Sequence, residues 1–378
     1  MGIIQRQSLQ NTIVTYIGIA VGFINLLIIQ PAFLTPEEIG LTRVLFSLSY
    51  LIAVIIPIGG EKITTKFLPL FKSSDNGDNG FLVLITGYMV CGFTVVSLII
   101  FCFRSYFINI YADQSQVLGE YLGYVFPLSF FLAGVNVLNV YTFSYFKTVF
   151  PSVLNNILVR IIFITLISIY SIKLITLKTF IQLYVGIYGL QILIQFIYIL
   201  RISKPTLIIN RKILKEVRVT KVITFGLLIA LTAFSAIGLK YLDTVMLANY
   251  ISLDLVGIYA IVAFIPTVIE VPLGAIEKIS DPKITTALIT NNTTEIKAIY
   301  YKSSKYMLIL GGLIFLLITA NINFLVQLLP EEYAIGRDIV PILCVGAFLN
   351  MAFGSNSTLI FNSHLYKYGV LFIFLMIV

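Results

Sequence analysis

Apolar positions run along this chain in blocks of about twenty residues, parted by short polar breaks, and a block of that length crosses a bilayer as a helix. The pattern predicts helices over 10–32, 39–60, 81–103, 117–142, 150–172, 179–200, 222–241, 254–276, 304–328, 336–360 and 368–378. The last run stops at Val378 inside LFIFLMIV, with no basic flank after it, and reads as the start of a helix in a longer protein. The first run, Thr12 to Ala32, exceeds a signal-peptide core and has no small-residue cleavage site after it, so it reads as a retained helix.

Two of the polar breaks look alike. LTPEEIGL, Leu34 to Leu41, and ISLDLVGI, Ile251 to Ile258, share the order hydroxyl, acid, aliphatic, glycine at one offset of 217 residues. The same ungapped shift sets Leu118 and Gly119 on Ile335 and Gly336, Phe131 and Leu132 on Phe348 and Leu349, and Asn139 on Asn356. A shift that matches two distant places points to a duplication. Six spans per copy is an even number, so both copies would enter from the same face, as in folds with parallel repeats. The expected fold is therefore an all-α integral membrane protein. It would have two parallel-repeat six-helix lobes around a central cavity, with about eleven transmembrane helices present and the second lobe incomplete. Its divisions would be an N-terminal lobe over 1–200, a basic linker over 201–221 and a C-terminal lobe over 222–378. In the linker, Ile213, Leu214 and Val217 alternate with Arg211, Lys212, Lys215 and Arg218, which suits an amphipathic helix on the membrane surface.

Composition agrees: 59% hydrophobic and 11% charged residues, with a mean hydropathy of +1.00, are values of a membrane protein. The net charge of +8 would suit nucleic acid in a soluble protein, but its distribution decides otherwise. With the N-terminus inside, eighteen Lys and Arg fall on inner segments and five on outer ones. That asymmetry predicts a cytoplasmic N-terminus and contact with anionic lipid rather than with nucleic acid. Cys91, Cys102 and Cys344 lie in apolar runs without metal or redox spacing, and a single histidine, His364, leaves no room for a histidine-based metal site or triad. No cofactor is expected, and no GxxxxGK[ST] loop provides for direct use of ATP.

A few polar residues interrupt the spans. Arg160 is roughly 14 Å past Pro151 along its helix, near mid-membrane, where a guanidinium must face protein or water. It reads either as a cavity cation for a diphosphate or as a partner of a carboxylate or backbone carbonyls. Glu270, between Pro266 and Pro272, reads as a site for a coupling proton or Na+ or as a structural partner, with Arg160 among the options. Arg43, one turn below the outer end of its helix, either lines the cavity or snorkels to the head groups. Lys240 and Asp243, three residues apart, form a possible ion pair or gate. Asn25, Gln30, Asn136, Asn139, Asn350 and Asn356 are amides suited to interhelical hydrogen bonds. With 22 Tyr and 29 Phe, no aromatic stands out.

The segment LKYLDTVMLANYISLDLVGIYAIVAFIPTVIEVPLGAIEKISDPKI (239–284) resembles the start of the second lobe of Wzx-type polysaccharide-biosynthesis flippases. These belong to the multidrug/oligosaccharidyl-lipid/polysaccharide exporter superfamily. The marks are Asp243 before a short turn, Asp254 followed by Val256-Gly257-Ile258-Tyr259, a proline-bearing helix and Pro282. LLPEEYAIGRDIVPILCVGAFLN (328–350) and QNTIVTYIGIAVGFINLLI near the N-terminus are similar to family segments too. The resemblance implies a non-enzymatic transporter of the bacterial inner membrane. It would carry polyprenyl-diphosphate-linked oligosaccharide from inner to outer leaflet by alternating access, for surface polysaccharide such as O-antigen. Other polysaccharide-assembly proteins are further candidate partners. The alternatives are a multidrug and toxin extrusion antiporter and, third, a membrane-embedded polysaccharide polymerase, which the short outer loops disfavour.

Overall fold

The structure, a computed structural model, describes residues 3–72, 77–102, 116–209, 219–356 and the isolated positions 213, 359, 360, 363 and 368. Among them it is all-helical, the only strand-like pairing being an isolated bridge between Gly77 and Lys204. The amphipathic stretch of the basic linker, 211–218 apart from Ile213, and most of the run 368–378 lie outside the described residues.

Seven described helices are long and apolar enough to cross a membrane, or up to nine if two bent pairs each count as one span. They include all six spans expected before residue 202. The expected span 222–241 is a bent pair, Val222–Ser235 and Lys240–Tyr250, meeting at 61°. The expected span 254–276 is another, Leu253–Val262 and Thr267–Gly274, meeting at 47°. In that break Pro266 has no N–H to continue the helical ladder. The expected span 336–360 contains a continuous apolar helix over Ile339–Ala352.

The chain forms two compact units, Met1–Leu253 and Asp254–Val378. The first contains α1 (Ile3–Ile24), α2 (Pro36–Ile55), α3 (Gly60–Phe71), α4 (Phe81–Cys102), α5 (Val125–Ser144), α6 (Val159–Ser171), α7 (Leu177–Ile202) and α8 (Val219–Tyr250). The α2 and α5 spans are the most enclosed, with 61% and 56% of their apolar windows buried against 17% for α4. Large side chains on α4 and α7, such as Leu98, Phe101 and Leu193, point outward. An apolar exterior is what a helix facing lipid requires, because its backbone is satisfied internally and only side chains meet the hydrocarbon.

Local chemistry sets several of these elements. Thr35 caps α2, its hydroxyl accepting from the Glu38 N–H at 3.3 Å while the Glu38 carboxylate accepts from the Thr35 N–H at 2.9 Å. Pro36 stands at the first helical position, where a missing N–H costs nothing. The acids of LTPEEIGL are thus a helix start. At the boundary between the units a helix begins likewise just after Ser252, so Pro36 and Leu253 both open helices 217 residues apart. At the other matched region the two positions differ, Leu118 being 1% exposed and Ile335 69%.

Between α2 and α3 the chain turns at Pro57, Ile58 and Gly59, the last two with φ of 41° and 73°. A side chain at Gly59 would start 2.5 Å from the Gly226 carbonyl oxygen, and one at Gly92 would start 2.0 Å from that of Ile56. Glycine there lets α8 and α4 close on the turn. Nearby, Asp78 is fully buried and accepts four hydrogen bonds. They come from the N–H groups of Gly80 (3.1 Å), Leu82 (2.8 Å) and Thr206 (2.9 Å) and from the Tyr141 hydroxyl (3.0 Å). One carboxylate so joins the start of α4, the side of α5 and the chain after α7.

The second unit contains α9 (Leu253–Val262), α10 (Thr267–Ile289), α11 (Thr293–Ala320) and α12 (Ile339–Ala352). Ser280 of α10 and Ser355 after α12 are hydrogen-bonded at 2.7 Å.

Candidate functional site

In the first unit two arginines from different spans come together. Gly18 and Gly22 lie one turn apart on α1 and face Asn156 and Arg160, also one turn apart. A Cβ at Gly18 would stand 2.5 Å from the Asn156 Cβ, and one at Gly22 only 1.9 Å from Arg160 Nη1. This small-xxx-small face lets the helices approach closely. The guanidinium rests in the groove it leaves, and Nη1 donates to the Gly18 carbonyl. Both spans carry a wide π turn here, Asn25–Ile29 before Pro31 and Leu154–Leu158 after Pro151.

Arg43 on α2 donates through Nη2 to Oε1 of Gln30 at 3.4 Å, and Gln30 is 2% exposed. The Arg43 and Arg160 guanidiniums are half-buried and near enough for their charges to act on each other. Arg43 also acts on Tyr184, Tyr188 and Tyr241, and Arg160 acts on Tyr188. No described carboxylate is among the groups whose charge acts on either one.

The tyrosines belong to a continuous aromatic wall. Phe46 of α2 lies 6.0 Å from Tyr188 of α7 and 6.0 Å from Tyr241 of α8, centroid to centroid. Tyr50 is 5.1 Å from Tyr241, Tyr184 is 5.8 Å from Tyr188, and Phe163 of α6 is 5.1 Å from Tyr184. Side chains of α2, α6, α7 and α8 therefore form one aromatic chain, of which Tyr184, Tyr188 and Tyr241 are within electrostatic reach of Arg43 and Tyr188 of Arg160. Beyond the span of α2, Glu61 opens α3, where burial pushes its carboxyl up against the opposing influence of Lys62.

Two guanidiniums within electrostatic reach of each other in a medium of low polarity repel, and their remaining N–H donors need acceptors. An anion with several oxygens meets both needs, and a planar fork suits a phosphate better than an ammonium does. Aromatic faces offer sugar rings a flat surface for their C–H groups, and phenol hydroxyls offer hydrogen bonds.

The other sequence-derived candidates lie elsewhere. Glu270, in the second unit, accepts from Asn350 Nδ2 at 2.7 Å, which ties α10 to α12. Lys240 and Asp243 are exposed near the end of α8. Lys240 Nζ is 5.5 Å from the Tyr241 ring, and Asp243 accepts from the N–H of Thr244 at 2.6 Å. Among the amides, Asn139 bridges helices as expected, accepting from Gln195 at 2.9 Å. The aromatic wall is absent from the sequence-derived set, although Phe46/Tyr50 and Tyr184/Tyr188 carry the four-residue spacing of one helix face. No protein-family model, curated protein or solved structure matches this chain.

Proposed function

We propose that the chain is a flippase for lipid-linked oligosaccharide, carrying a polyprenyl-diphosphate head group across the bilayer without covalent chemistry. The observation that carries this reading is the Arg43–Arg160 pair, with no carboxylate among the described groups that act on it and with Phe46, Tyr184, Tyr188 and Tyr241 forming an aromatic wall beside it. The arginines would hold the diphosphate and the aromatic wall the first sugars, while the prenyl chain stays in the hydrocarbon. Two positive charges at one site oppose a cationic drug, which disfavours multidrug extrusion. The proposal includes two lobes from a repeated six-helix unit, alternating access, a bacterial inner membrane and a cytoplasmic N-terminus.

The test is transfer of a fluorescent polyprenyl-diphosphate oligosaccharide between the leaflets of proteoliposomes. Arg43→Ala and Arg160→Ala should each abolish transfer in protein that still inserts and elutes as a single species, and Arg160→Lys should retain part of it. Undiminished transfer by both alanine variants would remove the site from the mechanism.

A further inference from the structure

A second site lies in the same unit, away from the arginines. A cavity of about 500 Å³ opens between α3, α4 and the first part of α8. Its lining is almost wholly apolar and includes Phe67 and Phe71 of α3, Phe81 and Gly87 of α4, and Val222 and Ile223 of α8. Water placed there would find too few hydrogen-bond partners to stay. Two of the three walls belong to membrane-spanning segments, so the hydrocarbon of the bilayer is at hand to fill it.

The third wall supplies charge. The twelve-residue helix α3 is too short to span and is amphipathic, with Ile63, Leu68 and Phe71 buried and Lys62 and Lys66 exposed one turn apart. Lys66 Nζ sits 5.4 Å from the ring of Phe67, itself a lining residue, and 4.2 Å from the ring of Phe225. That places an ammonium at the rim of an apolar cavity, on a helix of the kind that lies at a membrane surface.

We infer that this cavity holds an acyl chain of an anionic phospholipid whose phosphate is met by Lys66 and Lys62. The chain fills a volume that water cannot, and the lysines select lipids with a net negative charge over zwitterionic ones. The inference requires only that the first unit spans a bilayer, and stands or falls apart from the flippase reading.

The protein contains no tryptophan. Phe67→Trp therefore gives a single reporter on the cavity wall. The variant is reconstituted in phosphatidylcholine vesicles with phosphatidylglycerol or phosphatidylcholine brominated along the chain, and quenching is titrated. Brominated phosphatidylglycerol should reach half-quenching at a clearly lower mole fraction than brominated phosphatidylcholine. Adding Lys66→Gln should reduce that preference roughly fivefold, the effect of one basic residue at an anionic surface.

Gly87 has open space where a side chain would begin. Gly87→Phe should then fill the cavity and abolish the preference, while Gly87→Ala, which leaves most of the volume, should keep it and shows that the helix tolerates substitution. Equal quenching by the two lipids, a preference untouched by Lys66→Gln, or one that survives Gly87→Phe would overturn the inference. So would relief of quenching by unlabelled polyprenyl phosphate and not by unlabelled phosphatidylglycerol, which would assign the cavity to a prenyl chain.

Discussion

Gly18 and Gly22 occupy the same face of α1, yet replacing each by alanine should have different consequences. At Gly18 the new methyl would meet Asn156 Cβ at 2.5 Å and the Asn156 carbonyl oxygen at 3.0 Å. Those atoms are fixed to the backbone of the neighbouring helix, so the helices must separate. Overpacking of this kind costs about 1–3 kcal/mol, against which alanine returns about 1 kcal/mol of helix propensity. At Gly22 the obstacle is Arg160 Nη1, 1.9 Å away, the far end of a flexible side chain. It can swing aside, and what is lost is its bond to the Gly18 carbonyl. A hydrogen bond from a charged group contributes about 1.5–3 kcal/mol, and alanine in place of glycine returns about 1 kcal/mol of helix propensity. Gly22→Ala should therefore destabilise by about 0.5–2 kcal/mol. In an Arg160→Ala background there is no guanidinium to displace, and the same change should stabilise by about 1 kcal/mol. Gly18→Ala should destabilise in both backgrounds. Thermal unfolding in mild detergent, run as two double-mutant cycles, reads the signs directly. A Gly22→Ala effect of the same sign and size with and without Arg160 would refute the placement of the guanidinium in the glycine groove.

Two further outcomes follow from buried acids. Asp78→Asn turns one of two accepting oxygens into a donor, and whichever it is, at least one of the N–H groups of Gly80, Leu82 and Thr206 loses its acceptor. The cost is about 1–3 kcal/mol and should appear as a lower unfolding temperature; an unchanged midpoint would contradict the network. Glu61 has its carboxyl raised by burial, so the fold favours the protonated form. The resulting stability is present below the ordinary carboxylate range and is lost as pH rises through the raised value. Glu61→Gln should thus raise the unfolding temperature at neutral pH and leave it unchanged at pH about 4, near the carboxylate's ordinary value. An equal shift at both would show that burial is not the cause.

The six spans before residue 202 were legible because a bilayer demands about twenty apolar residues, a condition that each of those segments meets by itself. The cap at Thr35 and Glu38 was visible as a turn with acids for the same reason, since its atoms lie within four residues. Arg160 drew notice by depth alone. Its seat did not, because the seat belongs to Gly18 and Gly22, 142 and 138 positions earlier, and glycine in a membrane helix has many uses. Asp78 was hidden more completely. It stands in a polar break that reads as solvated, and what buries it is Tyr141 and Thr206, 63 and 128 residues further on. The aromatic wall was illegible for a statistical reason, 51 Phe and Tyr being too many for spacing to single out six. Bends were legible where proline marks them, as at Pro266. The residues matched at an offset of 217 coincide with a helix start at Pro36 and at Leu253, a local property, and differ in burial at Leu118 and Ile335, which depends on neighbours.

The central claim is that Arg43 and Arg160 form one site for a diphosphate. It is tested most directly by equilibrium binding of a polyprenyl-diphosphate oligosaccharide to the purified protein, compared with the neutral polyprenol of equal length. The account predicts that the diphosphate binds more tightly, and that Arg43→Ala and Arg160→Ala each weaken it roughly 10- to 150-fold, the equivalent of one charge-assisted hydrogen bond. Binding of the neutral lipid should not change in either variant. Equal affinity for the charged and neutral lipids, or a double alanine variant that binds the diphosphate as the unaltered protein does, would contradict it.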